Sequence, residues 1–259
     1  MGAVIVTGGA RGQGSAHAER FAQGGDRVFL ADVLDEEGQA VADRLTRNGA
    51  QAIYRHLDIT DAEGWETLVG EIAESGEHLR VLVNNAGVSQ REPGLVDLSE
   101  AEWDRVLAAN LKGAYLGIRA AAPLMEGGGG GTIINVGSAA GLTGNPHAAY
   151  VSAKWGLRGL TRAAAFELSG VGIRAHCIHP GIVETPMTLR APAGIEMMRR
   201  HTPLGRAATV EEIAEIAYFL ASDAAAYLTA LDVPIDGGFT ELGQFWNMIR
   251  SAGEGHAGA

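Results

Sequence analysis

A short apolar run, Ala3 to Val6, breaks into the glycine-rich segment Thr7-Gly8-Gly9-Ala10-Arg11-Gly12-Gln13-Gly14, then continues through a helix-sized stretch, Ser15 to Gln23, into a second apolar run, Arg27 to Ala31. Two buried-type strands separated by one helix form a βαβ unit, and such a crossover makes the strands parallel. Further strand-like runs lie at Gln51 to Arg55, Val81 to Val83, Thr132 to Val136, Arg174 to Ile178 and Leu231 to Ile235, with helical patterns between most of them. The pattern predicts an α/β fold, a Rossmann-type doubly wound seven-stranded parallel sheet with helices on both faces, in a single domain. With 259 residues, 46% of them hydrophobic, the chain can bury one substantial core, and no linker is visible.

The predicted domain spans residues 1–242. Pro180 to Pro203 reads as a long excursion around a short helix near Gly194 to Arg200, a substrate lid at about residues 186–203. Gly127 to Gly131 reads as a flexible connector. Residues 243–259 form a tail in which Phe245, Trp246, Met248 and Ile249 are expected to pack and the last residues to fray.

A net charge of −11 without a basic run argues against nucleic acid as a partner. No run approaches the roughly 18 apolar residues of a membrane span, and the first strand begins too early to leave room for a signal segment. The single cysteine, Cys177, excludes an internal disulfide framework and fits a reducing compartment, so the expected location is cytoplasmic.

Gly8, Gly12 and Gly14 follow a strand and open a helix, where backbone N–H groups and the helix dipole can receive a pyrophosphate. Ser15 stands where a Walker loop needs lysine, and His17 where the strict G-x-G-x-x-G spacing needs glycine. Asp32 ends the second strand, where its carboxylate can accept from adenosine ribose hydroxyls and repel a 2′-phosphate. That reading favours NAD over NADP, with Arg11 as a cation able to compensate in part.

Tyr150 and Lys154 are one helical turn apart, so phenol and ammonium share a helix face, and a neighbouring cation favours the phenolate. With Ser138 upstream, this is a proton-transfer device set beside a dinucleotide turn.

These residues, together with Asp58 in His56-Leu57-Asp58-Ile59-Thr60, Asn84-Asn85-Ala86-Gly87, Asn110, Pro180-Gly181 and Asp236-Gly237-Gly238, resemble the short-chain dehydrogenase/reductase family over nearly everything from Ala3 to Thr240. The wording from Ala31 to Gly38, from Ser152 to Leu160, and around His179-Pro180-Gly181 and Thr185-Pro186-Met187 is similar to bacterial 3α,20β-hydroxysteroid dehydrogenases. The resemblance implies hydride transfer between NAD and a hydrophobic secondary alcohol or its ketone. Tyr150 would be the general acid/base, Lys154 would hold the nicotinamide ribose, and Ser138 would hydrogen-bond the reacting oxygen. Asn110 would hold a water linking Lys154 to solvent, or else bend or cap a helix. Cofactor contacts carry over to Gly8, Arg11, Gly12, Gln13, Gly14, Asp32, Val33, Asp58, Ile59, Asn85, Ala86, Gly87, Pro180, Gly181, Ile182, Val183, Thr185 and Met187. Asp58 could instead cap a helix, and Asn84 is expected to tie adjacent strands. Gly137 departs from the serine common at that position in the family, without expected consequence for catalysis.

The expected substrate pocket is bounded by Ala140, Leu142, His147, Met187, Ile195, Met197 and Met198, a mostly apolar wall. His147 reads either as a donor or acceptor for a substrate group or as a surface cap. His176, Cys177 and His179 match no zinc spacing, and strand alternation sends His176 and Cys177 to opposite faces, so no metal is expected. Ser138 lacks the glycines of a hydrolase elbow, since Val136 and Ala140 flank it. The family also implies a homotetramer built on helices from Ser99 to Met125 and from His147 to Leu168, with a second interface at the final strand and Trp246. The alternative to an enzyme is a non-catalytic dinucleotide-sensing or scaffold protein on the same fold.

Overall fold

The computed structural model describes residues 2–92, 94–185 and 192–256. Seven strands, β1 (Ala3–Thr7), β2 (Arg27–Asp32), β3 (Ala52–His56), β4 (Leu79–Asn84), β5 (Gly131–Val136), β6 (Ile173–Pro180) and β7 (Asp232–Ile235), form one all-parallel sheet in the order β3-β2-β1-β4-β5-β6-β7. The helices are α1 (Gly12–Gln23), α2 (Asp35–Arg47), α3 (Ala62–Glu74), α4 (Glu100–Leu107), α5 (Gly113–Gly127), α6 (Ala148–Leu168), α7 (Pro192–His201), α8 (Val210–Leu220) and α9 (Phe239–His256).

Alternation along the strands divides the core in two. Val4, Val6, Val28, Leu30, Val81 and Val83 pack with Phe21 of α1, Leu45 of α2 and Ile213 of α8 on one face. Their neighbours Ala3, Ile5, Phe29, Leu79 and Leu82 pack with Trp65 of α3, Met125 of α5 and Ala165 of α6 on the other. The central strands β1, β2 and β4 therefore bury both sides, which is why they read as continuous apolar runs. Chain order reverses between β1 and β4, and the carboxyl ends of those strands open a crevice there.

Several local features depart from the sequence pattern. The helix expected from Ser99 to Met125 is interrupted by a π-helical segment, Ala108–Lys112, which carries Asn110. Gly130, expected in a flexible connector, packs so closely that a Cβ would lie 2.4 Å from Gly172 O. Ala230 is the only non-glycine residue with positive φ among the described residues, at 57°. The C-terminal segment is helical through His256, and Trp246, Met248 and Ile249 lie at least partly exposed on it rather than packed away. The edge strand β7 contains an exposed proline, Pro234, while Leu231 and Ile235 accept from Cys177 and Gly181. Among the described residues, no helix is long and apolar enough to cross a membrane.

Candidate active site

The crevice at the β1–β4 junction is a cleft of about 920 Å³. Its floor is the turn between β1 and α1. Gly8 has φ +66° and lies against Ala86, and a Cβ on Gly14 would stand 1.9 Å from Gly8 O. The turn can close over the strand end only with hydrogen in place of that side chain. Thr7 Oγ1 accepts from Asn85 N and Ala86 N, each at 3.0 Å, while Asn85 Nδ2 donates to Thr7 O at 2.9 Å. The β1 and β4 ends are thereby locked together, and Gly8, Arg11, Gly12, Gln13, Gly14, Asn85, Ala86 and Gly87 all line the cleft.

At one end stand carboxylates. Asp32 accepts from Ala10 N at 3.0 Å and Leu34 N at 3.2 Å, so this side chain shapes the turn as well as facing the cleft with Val33. Arg11 pairs with Glu37 of α2, holding that carboxyl below its usual range. Asp58 and Ile59 form the neighbouring wall, where Asp58 Oδ1 accepts from Thr60 N and Thr60 Oγ1 at 2.8 Å each. The α3 cap is Asp61 instead, which accepts from Glu63 N at 3.0 Å.

At the other end, α6 presents Tyr150 and Lys154 to the cleft beside Ser138. Lys154 is buried, and its ammonium donates to Val136 O at 2.8 Å. Ser138 Oγ accepts from Ala140 N at 3.1 Å. The π-helical segment brings in Asn110, buried, whose Nδ2 donates to Val88 O and Val106 O at 2.9 Å each. Its Oδ1 is buried without a protein partner, the arrangement a polar group takes when it serves a ligand or a water.

Pro180, Gly181, Val183 and Thr185 complete the rim. Ile182 and Ala140 do not line the cleft; Ala140 is buried behind Ser138. Met187 lies outside the described residues. His147 lines the mouth, its ring paired with Asn145 Oδ1 at 2.9 Å. Asn84, as expected of a strand tie, donates to Asn135 Oδ1 at 2.9 Å across β4 and β5.

Sequence reasoning missed Gln90 and Arg105 in the lining. Gln90 accepts from Ala149 N at 2.9 Å, anchoring the loop after β4 to the start of α6, and Arg105 forks onto Glu102 and donates to Ser89 O. The guanidinium holds Glu102 at about 2. No local pattern announces these contacts, which depend on a loop folding back. Of the expected apolar wall, Leu142, Ile195, Met197 and Met198 do not line the cleft.

A donor cluster of Cys177, His179 and Asp232 also forms, drawing Asp232 rather than His176 into the group considered from sequence. Burial pushes the Cys177 thiol up to about 12, and Asp232 is engaged by Arg158, Arg162 and His179, so these groups satisfy one another. His176 instead packs beside Arg174, with Nε2 at 3.0 Å from Nη1.

A family model described as Enoyl-(Acyl carrier protein) reductase matches residues 8–240. The chain is 42% identical over 243 residues to a trans-4-hydroxycyclohexanecarboxylate dehydrogenase of Sinomonas cyclohexanicum, covering 91% of this chain and 92% of that one. It is 42% identical over 235 residues to a 3-alpha-(or 20-beta)-hydroxysteroid dehydrogenase of Mycobacterium tuberculosis, covering 90% and 87%. A crystal structure provisionally assigned as a gluconate dehydrogenase from Agrobacterium tumefaciens superposes with a TM-score of 0.89 at 31% identity, covering 92% of this chain and 96% of that one.

Proposed function

Because the chain belongs to the short-chain dehydrogenase/reductase family, we propose that it is a cytoplasmic NAD-dependent oxidoreductase interconverting a hydrophobic secondary alcohol, cyclic and with hydroxysteroids among the candidates, and its ketone. The observation that carries the reading is one continuous cleft with a glycine turn and carboxylates at one end and Ser138, Tyr150 and Lys154 at the other. Its shape suits an extended dinucleotide. The Gly8–Gly14 approach leaves backbone exposed for a pyrophosphate, Asp32 and Asp58 suit the adenosine half, and the buried Asn110 oxygen suits a water near the reacting end.

In this reading the bound nicotinamide supplies or accepts the hydride. Tyr150 takes the alcohol proton during oxidation and returns it during reduction, while Ser138 donates to the substrate oxygen as charge develops there. Lys154, fixed by Val136 O, offers the nicotinamide ribose its remaining donors and its charge to the phenol. Gly181, Val183 and Thr185, on the rim, would hold the nicotinamide when it is bound. His147, at the mouth of the cleft, is proposed on the substrate side. The Arg11–Glu37 pair supports NAD, because it ties up the cation that would otherwise greet a 2′-phosphate.

Exposed Tyr115, Trp155 and Phe166 on α5 and α6, the last 92% exposed, support a homotetramer packed through these helices. Residues 1–242 are proposed as the catalytic domain and 243–259 as its tail; the lid expected near 186–203 lies partly outside the described residues.

Purified protein incubated with NAD and a panel of cyclic alcohols should produce NADH, and NADP should serve about tenfold less well or worse, equivalent to roughly 1.4 kcal/mol. Unchanged turnover in Tyr150→Phe would defeat the proton-transfer assignment.

A further inference from the structure

His179 closes β6 as a fully buried imidazole with polar partners on both sides. Its Nε2 lies 2.8 Å from Asp232 Oδ1 on the neighbouring strand. Its Nδ1 lies against the main chain of Ser138, 3.1 Å from O and 3.4 Å from N. An ionised carboxylate can only accept, so Nε2 carries the proton, and a neutral ring then offers the Nδ1 lone pair to the Ser138 N–H. Burial, opposed by Asp232, keeps the ring on the neutral side.

The support extends outward. Asp232 is fixed by Arg158 Nε at 3.2 Å and by Arg162, both from α6. Room for the ring depends on residue 137 being glycine: a Cβ there would stand 2.5 Å from His179 Nδ1 and 3.0 Å from Cys177 Sγ. Neither His179 nor Asp232 lines the cleft, so neither is arranged to touch substrate.

We propose that His179, oriented by Asp232, is a positioning residue that fixes the Ser138 main chain and thereby aims its hydroxyl at the reacting oxygen. The proposal rests on the role given to Ser138 above. Loss of the clamp displaces the hydroxyl without removing it, so it acts on kcat more than on KM.

The test is a double-variant cycle with cyclohexanol and NAD, paired with NMR of ¹⁵N-histidine-labelled protein. His179→Leu should lower kcat about tenfold or more with KM within about threefold, and His179→Asn, which keeps a polar atom near the Nδ1 position, should recover most of the loss. In a Ser138→Ala background, His179→Leu should add little, since the group it positions is gone. The NMR spectrum of the unaltered protein should show His179 protonated at Nε2 and bare at Nδ1, which requires neither turnover nor a variant that folds. Independent, multiplying losses in the double variant, or an Nδ1–H tautomer, overturn the positioning role while leaving Ser138 in place. Full turnover by Ser138→Ala overturns the function proposed for the site, and this inference with it.

Discussion

The Lys154 ammonium stands 5.6 Å from the centroid of the Tyr150 ring and is held there by the Val136 carbonyl at the end of β5. Helix spacing alone puts the two residues on one face; the neighbouring strand fixes how far the cation reaches. Lys154→Met keeps the length of the side chain and removes its charge and donors. It should lower kcat on the order of a hundredfold and weaken NAD binding, measured by steady-state kinetics and calorimetric titration, with unchanged circular dichroism.

Asp32 has two duties, since its carboxylate also accepts from Ala10 N and Leu34 N. Asp32→Asn retains an acceptor oxygen but loses the charge, so it should narrow the NAD-over-NADP ratio in kcat/KM by about tenfold. Adding Glu37→Gln releases Arg11 and should narrow it further. An unchanged ratio in the double variant would remove the electrostatic account of cofactor choice.

Ala230 adopts φ 57°, where its Cβ crowds the following carbonyl at a cost of about 1–2 kcal/mol. Ala230→Gly relieves that crowding but raises the entropy of the unfolded chain by up to about 1 kcal/mol. The net gain should be roughly 0.5 kcal/mol, a rise of about 1–2 °C in Tm by calorimetry.

His17 is fully buried with no protein partner on either ring nitrogen, and burial lowers its pKa to about 4. The unfolded chain binds the proton first, near the ordinary value of 6.5. The stabilisation is therefore complete above about pH 6.5 and is lost as pH falls toward 4, reaching on the order of 3 kcal/mol. Urea midpoints should drop across that window, and His17→Leu should flatten the decline.

The strands were legible because a sheet buried on both sides writes itself as apolar runs: Val4 and Val6 serve one face, Ala3 and Ile5 the other. The glycine turn and the Tyr150–Lys154 pair were legible because their geometry is local. What escaped depends on distant contacts. The π-helical segment around Asn110 lies inside a stretch with ordinary helical patterning, and its side chain is tied to Val88 O, on the loop after β4. Gln90 enters the cleft lining through its bond to Ala149, fifty-nine residues away in sequence. The need for glycine at 137 is set by His179, from the next strand, whose ring occupies the space a side chain would need. The apolar side chains Trp246, Met248 and Ile249 of α9 stand exposed on this chain; amphipathic patterning identifies a sticky face without naming its cover.

Pro234 governs what can happen at the open margin of the sheet. Leu231 and Ile235 direct their carbonyls to β6, which leaves the intervening proline, exposed and lacking an amide hydrogen, facing the unoccupied side. A foreign strand laid there would meet a missing rung midway along a four-residue ladder, so runaway strand addition is discouraged. Association along this margin must accordingly rely on side-chain packing.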